Sequence, residues 1–171
     1  MKQQIIVSGI GGQGVIFVTR ILAEAAIEMG MDVLTSETHG MAIRGGTVIS
    51  HVKIGPFTSP LIRSGRADIG LFLLAGNLDI HQGFLKPGGK IYMNAQKGKD
   101  GESIDATRLA REQGAPVVAN LIFLGFAARQ GGLFCGAETI EAVLRMISPA
   151  KQLETNLTGF RQGLFFNEDK I

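Results

Sequence analysis

The 171-residue sequence has few residues from which a metal site or a disulfide could be built: it contains one cysteine, Cys135, and three histidines. A single cysteine excludes an internal disulfide, a four-cysteine iron–sulfur site and a cysteine-based zinc site. Tryptophan is absent and aromatic residues make up only 6% of the chain, so a stacking platform for nucleic acid is not expected.

Neither charge nor hydrophobicity is concentrated in one part of the chain. The 17 basic and 15 acidic residues give a formal net charge of +2, without the basic patch that nucleic-acid binding requires. The mostly apolar stretch 117–128 is too short to span a bilayer, and residues 1–7 are too short for the apolar part of a signal peptide. We therefore expect a cytoplasmic protein with a single domain over residues 1–171 and with no nucleic-acid or membrane partner.

Glycine, by contrast, is abundant, with 24 residues, and four glycines stand in the stretch SGIGGQGV at residues 8–15. Gly9, Gly11 and Gly14 have the spacing of a tight strand-to-helix turn, in which a phosphate group approaches bare backbone amides. The apolar β-branched run at 5–7 predicts a buried strand before the turn, and apolar residues at steps of three and four predict a helix after it. A close-packed turn without a ligand is the alternative interpretation.

The rest of the chain alternates predicted strands and helices. Further strands are expected at about 31–35, 47–54, 67–75, 90–94 and 116–119, and helices at about 78–85, 105–113, 121–130, 137–146 and 153–165. The strand at 47–54 stands where a dinucleotide-binding fold would have its second crossover helix. We expect an α/β fold, a Rossmann-like three-layer sandwich with a mostly parallel sheet and a hairpin insertion after the second strand.

A second polar segment, SETHGMAIRGGT at residues 36–47, follows the second predicted strand. Open α/β sheets bind ligands outside the carboxyl ends of their strands, so this segment and the glycine turn are expected to share one rim. Arg44 is suited to bind a phosphate or carboxylate in bidentate fashion. The candidate binding residues are Gly9, Gly11, Gly12, Gln13, Gly14, Glu37, His39, Arg44, Gly45, Gly46, Asn77 and Asn120. Solvent exposure of Arg44, packing of His39 and helix capping by the two asparagines are the alternatives.

No nucleophile with an adjacent base is evident, so no catalytic residue is assigned. Glu37, near the end of the second strand, would suit the ribose hydroxyls of a nicotinamide cofactor, which makes a free-standing NAD(P)-dependent dehydrogenase one alternative. A non-catalytic nucleotide-binding module is another, and a structural or sensing module whose glycine turn is only a packing device is a third.

Three stretches taken together, GIGGQGV, SETHGMAIRGGTVISHV and NLTGFRQGL, resemble the gamma-type subunits of the 2-oxoacid:ferredoxin oxidoreductases, over essentially the whole chain. The His-Gly-Met and Arg-Gly-Gly wording is most similar to the beta subunits of the indolepyruvate branch. It departs at residues 39–43 from the Tyr-Gly-Pro-Glu-Ala-Arg-Gly-Gly version that is usual in oxoglutarate-type subunits.

The resemblance implies a part in the coenzyme A-dependent oxidative decarboxylation of a 2-oxoacid, with electrons passing to ferredoxin. Thiamine diphosphate and 4Fe-4S clusters are then expected on a large partner subunit, since this chain has one cysteine and no Gly-Asp-Gly thiamine motif. For this chain the resemblance implies packing against that partner and binding of coenzyme A phosphates at the glycine turn and Arg44. The chain alone is expected to be inactive, and to form a homodimer because a subunit parted from its partner exposes apolar surface.

Overall fold

The computed structural model describes residues 1–39, 46–96 and 101–167, without the side chain of His39. The strands are β1 (Gln3–Ile10), β2 (Val33–His39), β3 (Thr47–Ile54), β4 (Ala67–Phe72), β5 (Leu85–Asn94) and β6 (Glu102–Ile104). The helices are α1 (Val15–Glu28), α2 (Leu78–His81), α3 (Ala106–Glu112), α4 (Ala119–Arg129), α5 (Ala137–Ile147) and α6 (Leu153–Leu164). Within these described ranges, no helix has the length and hydropathy of a membrane span.

The strands of the described residues form one six-stranded sheet in the order β2-β3-β1-β4-β5-β6. β1, β4, β5 and β6 pair in parallel, whereas β3 is antiparallel to both of its neighbours, β1 and β2. Every strand of this sheet except β3 thus points the same way, which confirms the expected α/β class with a mostly parallel sheet. The carboxyl ends of β1, β4, β5 and β6 therefore meet at one edge, where open sheets bind their ligands.

The hairpin expected after the second strand is formed by β2 and β3 themselves. Their ladder includes all seven residues of β2 and places β3 between β2 and β1. No returning strand follows β3 in residues 55–66, where Gly55 turns the chain with φ 105°. Pro56 and Pro60 lack the N–H that a central ladder needs. One antiparallel strand therefore separates the first two strands of the sequence.

The two faces of the sheet are covered by different elements. Ile5 and Val7 of β1 point into the larger core, which is shared with α1 and with α3 to α6. Ile6 points the other way, into a smaller core that includes Ile62 and Leu78. Burial on both faces explains why β1 reads as a continuous apolar run. The long helices contribute to the larger core, and the cleft described below lies among them.

The prediction of a strand at residues 116–119 is wrong. Residues Pro116–Val118 form a 3-10 turn that leads directly into α4. The fixed φ and missing N–H of Pro116 suit the first turn of a helix and not the interior of a ladder. The edge of the sheet is formed instead by the three-residue β6, in a segment whose polar sequence does not indicate a strand.

Candidate functional site

The turn between β1 and α1 combines left-handed glycines with one clamping side chain. Gly12 has φ 92° and Gly14 has φ 80°, a region in which residues with a Cβ are strained. The Gln13 Oε1 accepts a hydrogen bond from the Ile10 amide at 2.9 Å, and the Gln13 Nε2 donates to the Leu73 carbonyl at 3.4 Å. Gln13 therefore holds the turn to the chain just after β4.

The glycines of this turn differ in the space around them. A Cβ on Gly9 would lie 2.8 Å from Gln13 Oε1, so Gly9 allows close packing. A Cβ on Gly12 would meet nothing within 4 Å, so the backbone at Gly12 faces open space. A Cβ on Gly14 would overlap the side-chain amide of Asn120. The turn thus has one packed glycine and two that border a cleft.

The end of the polar segment 36–47 lies against the glycine turn, as the sequence predicts. The Gly11 amide donates a hydrogen bond to the Gly46 carbonyl at 3.2 Å. Residues 40–45 of that segment lie outside the described residues, and with them the predicted site residues Arg44 and Gly45; the side chain of His39 is likewise not described. Binding roles for these three residues remain predictions.

Glu37 lies opposite Ser50 in the β2–β3 ladder. Because β3 separates β2 from β1, two strand spacings, roughly 10 Å in all, lie between the strand of Glu37 and the strand that leads into the turn. A standard dinucleotide-binding fold instead carries its acidic residue on the strand next to the glycine turn. The sheet order therefore disfavours a Glu37 contact to a ribose bound at the turn, and with it the dehydrogenase alternative.

Asn77 is buried, and its amide nitrogen is used within the protein. The Asn77 Nδ2 donates to the Ser8 hydroxyl at 3.0 Å and to the Gly9 carbonyl at 2.8 Å. The Ser8 hydroxyl also lies 2.8 Å from Nδ1 of the buried His81. Asn77 thereby fixes the end of β1 from the side of the smaller core, and its predicted contact to a ligand remains a prediction.

His51 and His81 are buried on the side of the smaller core, and we expect them to make the protein less stable in acid. Burial lowers the pKa of His81. The pKa of His51 is lowered from its usual 6.5 by burial first, and then by the charges of His81 and Lys53. Below about pH 6.5 the unfolded chain then binds more protons than the folded chain, so the free energy of unfolding should decrease as the pH falls. Above about pH 6.5 the free energy of unfolding should keep its full value. Denaturant titrations between about pH 7.5 and pH 5.5 measure this decrease, which should be smaller in the double variant His51→Asn, His81→Asn. An unfolding free energy that stays constant for the wild type over this interval would show that the prediction is wrong.

A cleft of about 590 Å³ opens beside the glycine turn, at the carboxyl ends of β4 and β5. Its volume lies in the range of small-molecule and cofactor sites, about 300–1,000 Å³. Its lining residues come from the turn, the strand ends and the long helices: Gly12, Gln13, Gly14, Phe17, Arg20, Leu73, Asn94, Thr107, Arg111, Pro116, Val117, Ala119, Asn120, Leu121, Ile147, Pro149, Gln152 and Asn156. The fold thus brings four predicted site residues to one cleft, and this open space disfavours a turn that only packs.

Asn120 stands at the start of α4 and closes one wall of the cleft. Its Oδ1 is buried and has no hydrogen-bond partner in the described part of the chain, while its amide nitrogen lies against Gly14. Leaving a buried acceptor unpaired costs about 1–3 kcal/mol. A ligand that donates a hydrogen bond here would remove that cost, and the binding role of Asn120 remains a prediction.

Two arginines give the cleft positive charge, and neither is indicated as a site residue by the sequence. Arg20 of α1 forms a long, exposed ion pair with Glu24, 3.8 Å between nitrogen and oxygen, which holds the guanidinium only weakly. Arg111 lies in the last turn of α3. From periodicity, Arg20 is an ordinary solvent-facing partner of Glu24, and Arg111 is distant in sequence from the turn. Only the tertiary fold brings them to one cleft.

A second, more apolar groove of about 490 Å³ lies on the β3 side of the turn. It is lined by Ile10, Gly11, Gly12, Gly14, Val15, Ile16, Phe17, Arg20 and Val48. Gly12, Gly14, Phe17 and Arg20 border both the cleft and the groove. The turn and the start of α1 therefore form a partition between the cleft and the groove, and a long ligand can cross this partition to occupy both.

Among the described residues that line it, the cleft has binding groups and no pair suited to acid–base or covalent catalysis. Its polar side chains are amides, one threonine and two arginines, with no histidine, cysteine, lysine or carboxylate among the described lining residues. Burial raises the pKa of the Cys135 thiol to about 11, which makes it unreactive. The described residues include no group of histidine, cysteine and carboxylate side chains that could hold a metal ion. This arrangement can bind an anionic, partly apolar small molecule.

Comparison with known proteins gives one family and a set of relatives. The family model described as pyruvate ferredoxin/flavodoxin oxidoreductase matches residues 4–165. The indolepyruvate oxidoreductase subunit IorB of Archaeoglobus fulgidus is 29% identical, over 95% of this chain and 94% of its own. The keto/oxoacid ferredoxin oxidoreductase gamma subunit of Geobacter sulfurreducens is 28% identical with a TM-score of 0.73, over 95% and 98%. The 2-oxoglutarate:ferredoxin oxidoreductase of Magnetococcus marinus, solved with 2-oxoglutarate, coenzyme A and succinyl-CoA bound, has a TM-score of 0.75 at 21% identity, over 95% of this chain and 30% of that one.

Proposed function

The chain belongs to the pyruvate ferredoxin/flavodoxin oxidoreductase family, and we propose that it is the gamma-type subunit of a 2-oxoacid:ferredoxin oxidoreductase of the indolepyruvate branch. It binds coenzyme A, while a partner subunit carries out the reaction on the 2-oxoacid and passes electrons to ferredoxin. The observation that carries this proposal is the cleft, which joins the open glycine turn, two arginines and the unpaired Asn120 Oδ1 in one space.

The residues of the cleft fit the phosphorylated end of coenzyme A. Helix α1 begins at Val15 and its N-cap residue Gly14 provides no side-chain cap, so the first amides and the helix dipole favour a negative group. Arg20 lies on the same helix and can bind a phosphate in bidentate fashion. Phe17 supplies apolar surface beside them. The part of this chain is therefore to bind and orient the coenzyme and to exclude water from its phosphates.

Thiamine diphosphate and the 4Fe-4S clusters belong to the partner subunit in this proposal, because the residues of this chain do not fit them. A four-iron cluster needs four cysteines, and the sequence has one, Cys135, whose thiol is buried. On the partner, thiamine diphosphate provides the electron sink for decarboxylation and the clusters carry the electrons away. This chain adds the coenzyme-binding surface to that machinery.

Reconstitution from separate subunits tests the proposed function. This chain and the thiamine-bearing partner are purified separately and mixed, and ferredoxin reduction is measured with indolepyruvate, with and without coenzyme A. We expect co-elution on gel filtration and activity only when both chains and coenzyme A are present. The same column reports whether the isolated chain forms the expected homodimer. Turnover by this chain alone, or full coenzyme A-dependent turnover by the partner alone, would refute the proposal.

A further inference from the structure

The two arginines of the cleft occupy different positions relative to the glycine turn. Arg20 borders the cleft and the apolar groove, as Gly12 and Gly14 do, and so lies at the partition. Arg111 borders the cleft and is not among the residues that line the groove. A ligand with two separate anionic groups could therefore contact one arginine with each.

Arg111 has no ion pair with any residue in the described ranges, although two carboxylates are near it in sequence. Arg108, on the same helix, engages both of them: its guanidinium lies 2.7 Å from Glu112 Oε1 and 3.7 Å from Asp105 Oδ2. The Asp105 carboxylate also caps α3 by accepting a hydrogen bond from the Arg108 amide at 2.9 Å. The guanidinium of Arg111, an exposed side chain, thus has no carboxylate partner in the described part of the chain and is available to an anionic ligand group at the cleft.

Apolar side chains form a lip on the cleft that contains Arg111. Pro116 and Val117 begin the 3-10 turn before α4, while Ile147 ends α5 and Pro149 follows it. Val117 is 77% exposed and therefore offers apolar surface at this lip. A flat, weakly polar ring such as adenine would cover this apolar surface.

We propose that Arg111 binds the 3′-phosphate of coenzyme A and lets the subunit distinguish coenzyme A from dephospho-coenzyme A, which lacks that phosphate. This inference rests on the proposed function. The adenosine end occupies the cleft, the diphosphate lies at Gly12, Gly14 and Arg20, and the pantetheine arm passes over the partition into the apolar groove. This orientation pairs the charged end of the coenzyme with the two arginines and the less polar arm with apolar side chains.

Direct binding to the assembled complex tests the role of Arg111. The Kd values of coenzyme A and dephospho-coenzyme A are measured by titration calorimetry, without 2-oxoacid, for the wild type, Arg111→Gln and the matched control Arg108→Gln. The wild type is expected to bind coenzyme A about tenfold more tightly than dephospho-coenzyme A, because the 3′-phosphate adds one charge-assisted contact. In Arg111→Gln, the affinity for coenzyme A should fall about tenfold to that for dephospho-coenzyme A, whose Kd changes less than about twofold. Arg108→Gln should keep the wild-type ratio.

Two results would overturn the assignment of Arg111. One is an Arg111→Gln complex that keeps the wild-type preference for coenzyme A. The other is an equal loss for both coenzymes, which would show a general effect on the cleft and no contact with the 3′-phosphate. Failure of the proposed function has a different signature, because then substitution at the glycine turn would leave the affinity for both coenzymes unchanged.

Discussion

Gly163→Leu is expected to lower the free energy of unfolding of the chain by about 3 kcal/mol. Gly163 lies in α6, and a Cβ at this position would overlap the carbonyl oxygen of Ile122 in α4. A Cβ on Gly125 of α4 would likewise overlap the carbonyl oxygen of Phe160 in α6. The two helix backbones are thus in direct contact, so a leucine at 163 must push them apart and disturb the larger core.

Equilibrium denaturation of the purified chain measures this effect. Thr158→Leu, an exposed position on the same helix, is the matched control and should change the unfolding free energy by less than about 0.5 kcal/mol. For a chain of this length, a loss of about 3 kcal/mol corresponds to a decrease in Tm of roughly 6–12 °C. If Gly163→Leu proves as stable as the control, the close packing of α4 on α6 is incorrect.

The same helix pair shapes the cleft. Asn120 stands at the start of α4, and Asn156 lies in the first half of α6, where its Nδ2 donates to the Ser148 hydroxyl at 3.0 Å. The contact between the two helices therefore fixes the separation of two amide side chains that line the cleft. The close packing of α4 on α6 therefore helps to determine the shape of the cleft.

Local patterns in the sequence predict most of the fold. The apolar run before Gly9, the helical periodicity after Gly14 and the alternation at 47–54 are each visible within a few residues of the sequence, and the structure confirms all three elements. Elements of only three residues have too few positions to show such a pattern. The three residues of β6 therefore give no signal of a strand, and the apolar residues after Pro116 predict a strand where the structure has a 3-10 turn.

The site was only partly predictable, because part of it depends on long-range pairing. The glycine turn and Asn120 could be found from the sequence, since each follows from a pattern within a few residues. The insertion of β3 beside β1 cannot be read locally, and it moves Glu37 one strand further from the turn. Arg20 and Arg111 reach a common cleft only through the packing of α1 and α3 against the same sheet.

Gly14→Ala is expected to weaken the binding of coenzyme A to the assembled complex by at least about tenfold. At φ 80°, a residue with a Cβ is strained by roughly 1–2 kcal/mol, and the new methyl group would overlap the Asn120 amide. The turn and Asn120 must then move together, which displaces the amides that would bind the phosphates. Gly131→Ala is the matched control, because Gly131 has φ 66°, open space around it and no place in the cleft.

The proposed function depends on the binding of coenzyme A at the glycine turn. Another polypeptide completes the reaction. Calorimetric titration of coenzyme A into the wild-type, Gly14→Ala and Gly131→Ala complexes tests this binding, once circular dichroism and co-elution show that all three are folded and assembled. We predict a Kd at least about tenfold weaker for Gly14→Ala and within about twofold of the wild type for Gly131→Ala. Equal Kd values for the three complexes would mean that coenzyme A binds elsewhere.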